Sequence, residues 1–206
     1  LRRRHSRRQP AEFRAAMPTK PGERKLQILQ TLASMLENPK GEKITTAALA
    51  ARLDVSEAAL YRHFASKAQM YEGLIEFIEQ TLFGLINKIT TDETSGLKQL
   101  ESIISALLAF AKKNPGMTRV LIGDVLVNED ERLQVRINQL HDRLEATLKQ
   151  SLRFAISEKQ VADGVDSAAQ ANLMIAFVVG RWHQFAKSGF RRDPTELWAA
   201  QWPALV

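Results

Sequence analysis

The sequence contains no cysteine, which excludes disulfides and thiolate metal sites outright. That absence suits a cytosolic protein without requiring one. No apolar run approaches the roughly 18 residues that a membrane-spanning helix needs. The richest stretch, 168–179, is broken by Gln170 and Asn172, ends at Gly180-Arg181, and reads as a buried helix. The basic N-terminus has no apolar segment behind it and does not read as a secretory signal. It also lacks an amphipathic apolar face, because Leu1, Phe13 and Met17 are isolated, so no membrane association is expected.

Catalytic machinery is equally scarce. Of the four histidines, His5, His63, His141 and His183, no two stand at metal-ligating spacing. No Gly-rich phosphate loop and no nucleophile–base motif occurs. The acidic run Glu129-Asp130-Glu131 is accounted for as a helix start, where the dipole favours negative charge. The chain is therefore not expected to be an enzyme, and no cofactor or metal is expected.

What is present is an ordinary globular composition: 206 residues, 45% hydrophobic and 25% charged. That is enough for one domain, or a small domain fused to a larger one. The net charge of +6 is unevenly placed. Residues 1–25 carry nine Lys/Arg against two Glu, so the remaining chain is close to neutral. Residues 1–22, with Arg, Pro and Gly but no apolar period, read as a disordered basic arm. Such an arm could help neutralise DNA phosphates. It could equally be an extension, a leader or an expression remnant; Leu1 is not a start residue, whereas Met17 could be one.

Beyond the arm the apolar period is helical throughout, with no strand-like alternation and no internal repeat. Leu26, Leu29, Leu32, Ala33 and Leu36 share one face of a first helix that Asn38-Pro39-Lys40-Gly41 ends. Thr45 is an N-cap for a helix 46–53, and Ser56 for a helix 57–63. Ser66 opens a helix to about Lys88, with Gln69 at capping-box spacing. Helices follow at 97–113, at 117 to about 127, and at 129–157, where Leu133, Ile137, Leu140, Leu144, Leu148 and Leu152 repeat. Two more, 167–187 and 195–201, close the chain. The fold class is all-α, with about nine helices.

Helices 46–53 and 57–63, joined by three residues and preceded by a longer helix, have helix-turn-helix spacing. On spacing alone a generic helical hairpin fits as well. Leu60 and Phe64 lie four apart and should face the core, leaving Glu57, Ala58, Tyr61 and Arg62 outward. Arg can grip guanine O6 and N7 with two hydrogen bonds, and a small residue such as Ala58 permits close approach to a base. Thr45, Thr46, Ser56, Tyr61, His63 and Lys67 carry groups suited to the backbone of double-stranded DNA.

The stretch 44–67, with Thr-x-x-x-Leu-Ala at its start, Val55-Ser56-x-x-x-Leu60-Tyr61-x-His63-Phe64 and Ser66-Lys67, closely resembles the DNA-binding domain of the TetR family of bacterial regulators. Asp54 stands where the family usually has Gly, and Ala65 where Pro is common. Asp tolerates a left-handed turn, so the helix-turn-helix survives. The resemblance implies a TetR-like fold: an N-terminal three-helix DNA-binding domain, 23–67, and a C-terminal helical dimerisation and regulatory domain, 68–206. It also implies a homodimer whose last two long helices form a four-helix interface. Here those would be 167–187, with Leu173, Ala176, Phe177 and Gly180, and 194–201, with Trp198 and Trp202. Half-sites would lie roughly 34–36 Å apart.

Further segments, 56–64, 73–79, 114–121 and 131–140, look like the nucleoid-occlusion branch of the family, a likeness reaching about residue 153 and weaker beyond. Members of that branch bind dispersed chromosomal sites and, once on DNA, antagonise the division GTPase FtsZ. The branch implies a cytoplasmic, nucleoid-associated protein. It also implies a partner surface on the helix opened by Ser66 and at Lys112, Lys113 and Asn114; Lys113 stands where Arg is usual, keeping charge but losing bidentate carboxylate binding. The wider family suggests the alternative of a repressor released by a small-molecule effector, with Phe110, Met117, Trp182 and His183 as candidate pocket residues.

Overall fold

The computed structural model describes residues 22–38 and 43–206; the basic arm, apart from Gly22, lies outside these. Among the described residues there are nine α-helices, two short 3₁₀ turns and no strand. The helices are α1 (Glu23–Leu36), α2 (Thr46–Arg52), α3 (Glu57–Tyr61), α4 (Lys67–Asp92), α5 (Gly96–Lys113), α6 (Pro115–Leu121), α7 (Glu131–Ser157), α8 (Ser167–Lys187) and α9 (Trp198–Gln201).

Local chemistry sets most starts and stops. Thr45, Ser56 and Ser66 each accept a backbone N–H three residues on, from Ala48, Ala59 and Gln69. These bonds satisfy donors that a helix N-terminus leaves unpaired. Gln69 does not close the expected box on Ser66; its Oε1 accepts the N–H of Ala65, one residue earlier, at 2.9 Å. Asn114 ends α5 by donating its amide to the Phe110 carbonyl at 2.8 Å, and Pro115 then begins α6.

The body is a helical bundle with α5 inside it. Its faces bury Leu100, Ile103, Ile104, Leu107 and Leu108 against α4, α7 and α8. The repeat on α7 is buried as expected, from Leu133 to Leu152. Its antiparallel neighbour α8 turns Met174, Val178 and Trp182 inward, and the Trp182 indole donates to the Leu107 carbonyl at 3.0 Å. At the other end α1, α2 and α3 pack together, and α1 lies across α4 and α6. Ala33 of α1 and Gly116 of α6 meet so closely that a Cβ on Gly116 would stand 1.9 Å from the Ala33 carbonyl oxygen.

Several expectations are corrected. Leu26, in the first turn of α1, is 39% exposed, and Ile28 takes its place in the core. Helix α4 runs to Asp92, a turn beyond the expected end. The segment expected as one helix to about 127 is α6 plus a 3₁₀ turn, Asp124–Leu126, parted by Gly123 in the left-handed region. The closing helix is a single turn. Asp193 Oδ1 accepts both the N–H and the hydroxyl of Thr195, forming a tight turn, and Leu197 at φ 66° interrupts the helical path ahead of Trp198. Residues 194–201 therefore do not form a long helix, and the last two long helices are α7 and α8. The expected division at 67/68 falls at the start of α4, which packs on both α1 and the bundle.

Candidate nucleic-acid interface

Helix α3 is short, and its two faces differ sharply. Leu60 is 1% exposed and Phe64, in the turn after the helix, 8%. Fully burying such side chains contributes about 1.5–3 kcal/mol each. Because these two residues fix the inward side, Glu57, Ala58, Tyr61 and Arg62 are outward, with Tyr61 45% exposed. Arg62 has no hydrogen-bond or ion-pair partner among the described residues and is free to reach a ligand. The turn between α2 and α3 keeps its geometry because Asp54 adopts φ 54°. An acidic side chain accepts this left-handed position more readily than most.

Thr45, Thr46, Ser56 and His63 lie on or beside the same surface. Thr45 and Ser56 already use their hydroxyls as cap acceptors. Thr46 Oγ1 donates to Glu57 Oε2 at 2.6 Å and accepts from the Tyr61 hydroxyl at 3.4 Å. Lys67 behaves differently from the expectation of a phosphate contact. Its Nζ lies 2.5 Å from Glu129 Oε1, with both side chains largely buried, and 5.8 Å from the Tyr71 ring centroid.

That ion pair belongs to a polar joint between the two ends of the molecule, which sequence reasoning missed. Arg119 of α6 donates to the carbonyls of Leu36 and Asn38 at 3.1 and 3.2 Å, closing the C-terminus of α1. The same guanidinium lies 3.5 Å from Asp124, whose other oxygen accepts Lys187 of α8 at 3.0 Å. Burial, reinforced by Glu129, raises the neighbouring Tyr71 hydroxyl to a pKa of about 12, so it stays protonated. The carbonyl partners of Arg119 are 83 and 81 residues away in sequence, and no spacing rule connects them.

The residues expected at a dimer interface fall into two sets. Leu173, 49% exposed, Ala176 and Gly180 form one open stripe along α8. Among the described residues nothing lies within 4 Å of where a Cβ on Gly180 would stand. Phe177, Trp198 and Trp202 instead stack within the chain, at 5.9 and 5.5 Å between rings. At the expected partner surface, Lys113 is exposed and unpaired among the described residues, whereas Lys112 is paired with Asp193 at 2.5 Å. Hydrogen bonds from Lys112 and Thr195 hold the Asp193 carboxyl at a pKa of about 2. Of the candidate pocket residues, Phe110, Met117 and Trp182 are core side chains and His183 is exposed, so they do not converge on a cavity. No group of three or more metal-ligating side chains occurs among the described residues.

Comparison with known proteins agrees with this geometry. Residues 42–74 match the family described as bacterial regulatory proteins, tetR family, and residues 94–206 the SlmA-like tetracyclin repressor-like C-terminal domain. A TetR-family regulator from Agrobacterium tumefaciens superposes with a TM-score of 0.74 at 18% identity, covering 90% of this chain and 97% of that one. FadR of Bacillus subtilis, solved with stearoyl-CoA, gives 0.70 at 16%, covering 88% and 97%. Fold and family matches thus define a DNA-binding, dimerising regulator of the TetR class.

More particular relatives are the nucleoid occlusion factors SlmA of Alteromonas mediterranea, 52% identical over 186 residues (88% of this chain, 93% of that), and of a Marinomonas species, 48% over 190 (92% and 96%). The chain belongs to the SlmA family of nucleoid occlusion factors within the TetR family. The likeness continues through residue 206, beyond the point near 153 where the sequence motifs fade.

Proposed function

We propose that the chain works in the cytoplasm as a nucleoid-associated homodimer which, seated on chromosomal sites, restrains FtsZ-driven division. The observation that carries this reading is the α3 surface. Buried Leu60 and Phe64 turn Ala58, Tyr61 and Arg62, which has no partner among the described residues, outward, on a chain about half identical to nucleoid occlusion factors. Arg62 is the base reader; Thr45, Thr46, Ser56, Tyr61 and His63 contact backbone phosphates and set register. Residues 23–67 are the DNA-binding domain, and 68–206 the dimerisation and regulatory domain.

The dimer forms through α8 and the adjoining face of α7, with Leu173, Ala176 and Gly180 at the seam. Small residues there let helices of two copies approach closely, and Leu173 supplies apolar area. The exposed Lys113, close to the α5 terminus closed by Asn114, supplies positive charge for an acidic segment of the division partner.

Co-sedimentation with polymerised FtsZ from the same organism, with and without bound DNA, tests the proposal. Binding or polymer disassembly that strengthens with DNA is expected. DNA binding without any effect on the polymer would refute the division role and favour a repressor released by a small-molecule effector.

A further inference from the structure

Glu57 is an anion on a surface that must approach phosphates, where a carboxylate opposes binding. Its position invites a role as acceptor to a cytosine amino group. The structure gives the carboxylate another occupation. Glu57 and Tyr61 stand four residues apart on α3, so they share a face. Thr46, the first residue of α2, lies against both. Its hydroxyl has one proton, given to Glu57 at 2.6 Å, the short separation of a charge-assisted bond. With that proton committed, the lone pairs of Thr46 turn to the Tyr61 hydroxyl at 3.4 Å. The second bond is long and readily given up to a phosphate oxygen; the first is not.

We propose that Glu57 is a positioning residue for DNA binding. It fixes the Thr46 hydroxyl, and through it holds Tyr61 ready on the recognition face, without itself contacting a base. The proposal rests on the DNA-binding reading of α2 and α3. Ordering these side chains before the encounter removes a cost that binding would otherwise carry.

Acceptor and charge separate in two variants. Glu57→Gln keeps an oxygen for Thr46 and removes the negative charge. Glu57→Ala removes both. If Glu57 positions, E57A weakens binding on the order of 2- to 10-fold per side chain left unordered, although a repulsive charge has gone. E57Q then binds at least as tightly as wild type, with unchanged base preference. In a Thr46→Val background, E57A adds no further loss. The probe is a duplex selected by the wild-type protein from a randomised pool, with circular dichroism to show that each variant is folded.

Equal tightening of E57A and E57Q would make Glu57 a mere repulsive charge and overturn the proposal. Relaxed preference at one base pair in both variants would make it a base contact and overturn it too. A wild-type protein that selected no duplex would refute the DNA reading itself, and this role with it.

Discussion

Replacing Gly116 by alanine tests the seam between α1 and α6. The new Cβ would lie 1.9 Å from the Ala33 carbonyl oxygen and 3.2 Å from Leu36 Cβ. Ordinary close C···O contacts run at about 3.3–3.6 Å, so the seam must open by roughly 1.4 Å. Ala33 is inside α1 and its carbonyl cannot swing aside, so one helix has to move. Overpacking of this kind costs about 1–3 kcal/mol, and an obstacle made of backbone belongs in the upper half of that range. For a chain of this size each kcal/mol moves the thermal midpoint by roughly 2–4 °C, which predicts a fall of about 4–12 °C. The control is the same substitution at Gly84, which lies exposed within α4 with nothing among the described residues within 4 Å of the added carbon. Helix propensity alone then applies, and Gly84→Ala should stabilise by about 0.8–1 kcal/mol. Both are read by thermal unfolding at one protein concentration, because dimerisation makes the midpoint concentration-dependent. Midpoints for Gly116→Ala within a degree of wild type, or shifts of the same sign in both variants, would refute the packing argument.

Arg62→Ala should weaken binding by about 1–3 kcal/mol and relax preference at one base pair, seen by repeating duplex selection; uniform weakening on every sequence would reassign it to a phosphate. Lys67→Ala should lower the thermal midpoint by leaving Glu129 buried without its partner, while the salt dependence of DNA binding changes by clearly less than the one unit that a lost phosphate contact gives. Leu173→Glu places a charge on the open stripe of α8 and should convert the dimer to monomer in sedimentation analysis; an unchanged dimer would move the interface elsewhere. Burial holds the His141 pKa below its ordinary value, so the unfolded chain takes up the proton first. Stability should therefore be full above about pH 6.5 and fall as the pH drops from there toward the folded value. His141→Gln should flatten that slope in denaturant titrations.

Much of this architecture was legible because it is local. Thr45, Ser56 and Ser66 announce their helices through hydroxyls that bond three residues on, and the leucine repeat on α7 needs only its own period to be read. Asp54 could be placed in a left-handed turn from the residues around it. The outward face of α3 followed from two apolar residues four apart. The features that escaped depend on neighbours distant in sequence. Leu26 fits the apolar stripe of α1, yet no element among the described residues covers it. Lys67 looks like a free cation until Glu129, 62 residues on, is folded against it. Trp198 and Trp202 stand four apart, but the ring that Trp198 meets across the chain, Phe177, comes from another helix.

The link from the α1 carbonyls through Arg119 and Asp124 to Lys187 has a geometric consequence for how two copies meet DNA. Lys187 closes α8, the helix assigned to the dimer seam, while Arg119 grips the helix that carries the reading head. A head tethered in this way inherits its distance and heading from the seam. With the proposed seam on α8, the assembled pair is expected to act as a fixed caliper: a site with correct bases but one extra base pair between its halves would present them about 3.4 Å too far apart and turned off-axis. Spacing would then be part of the address that the protein reads.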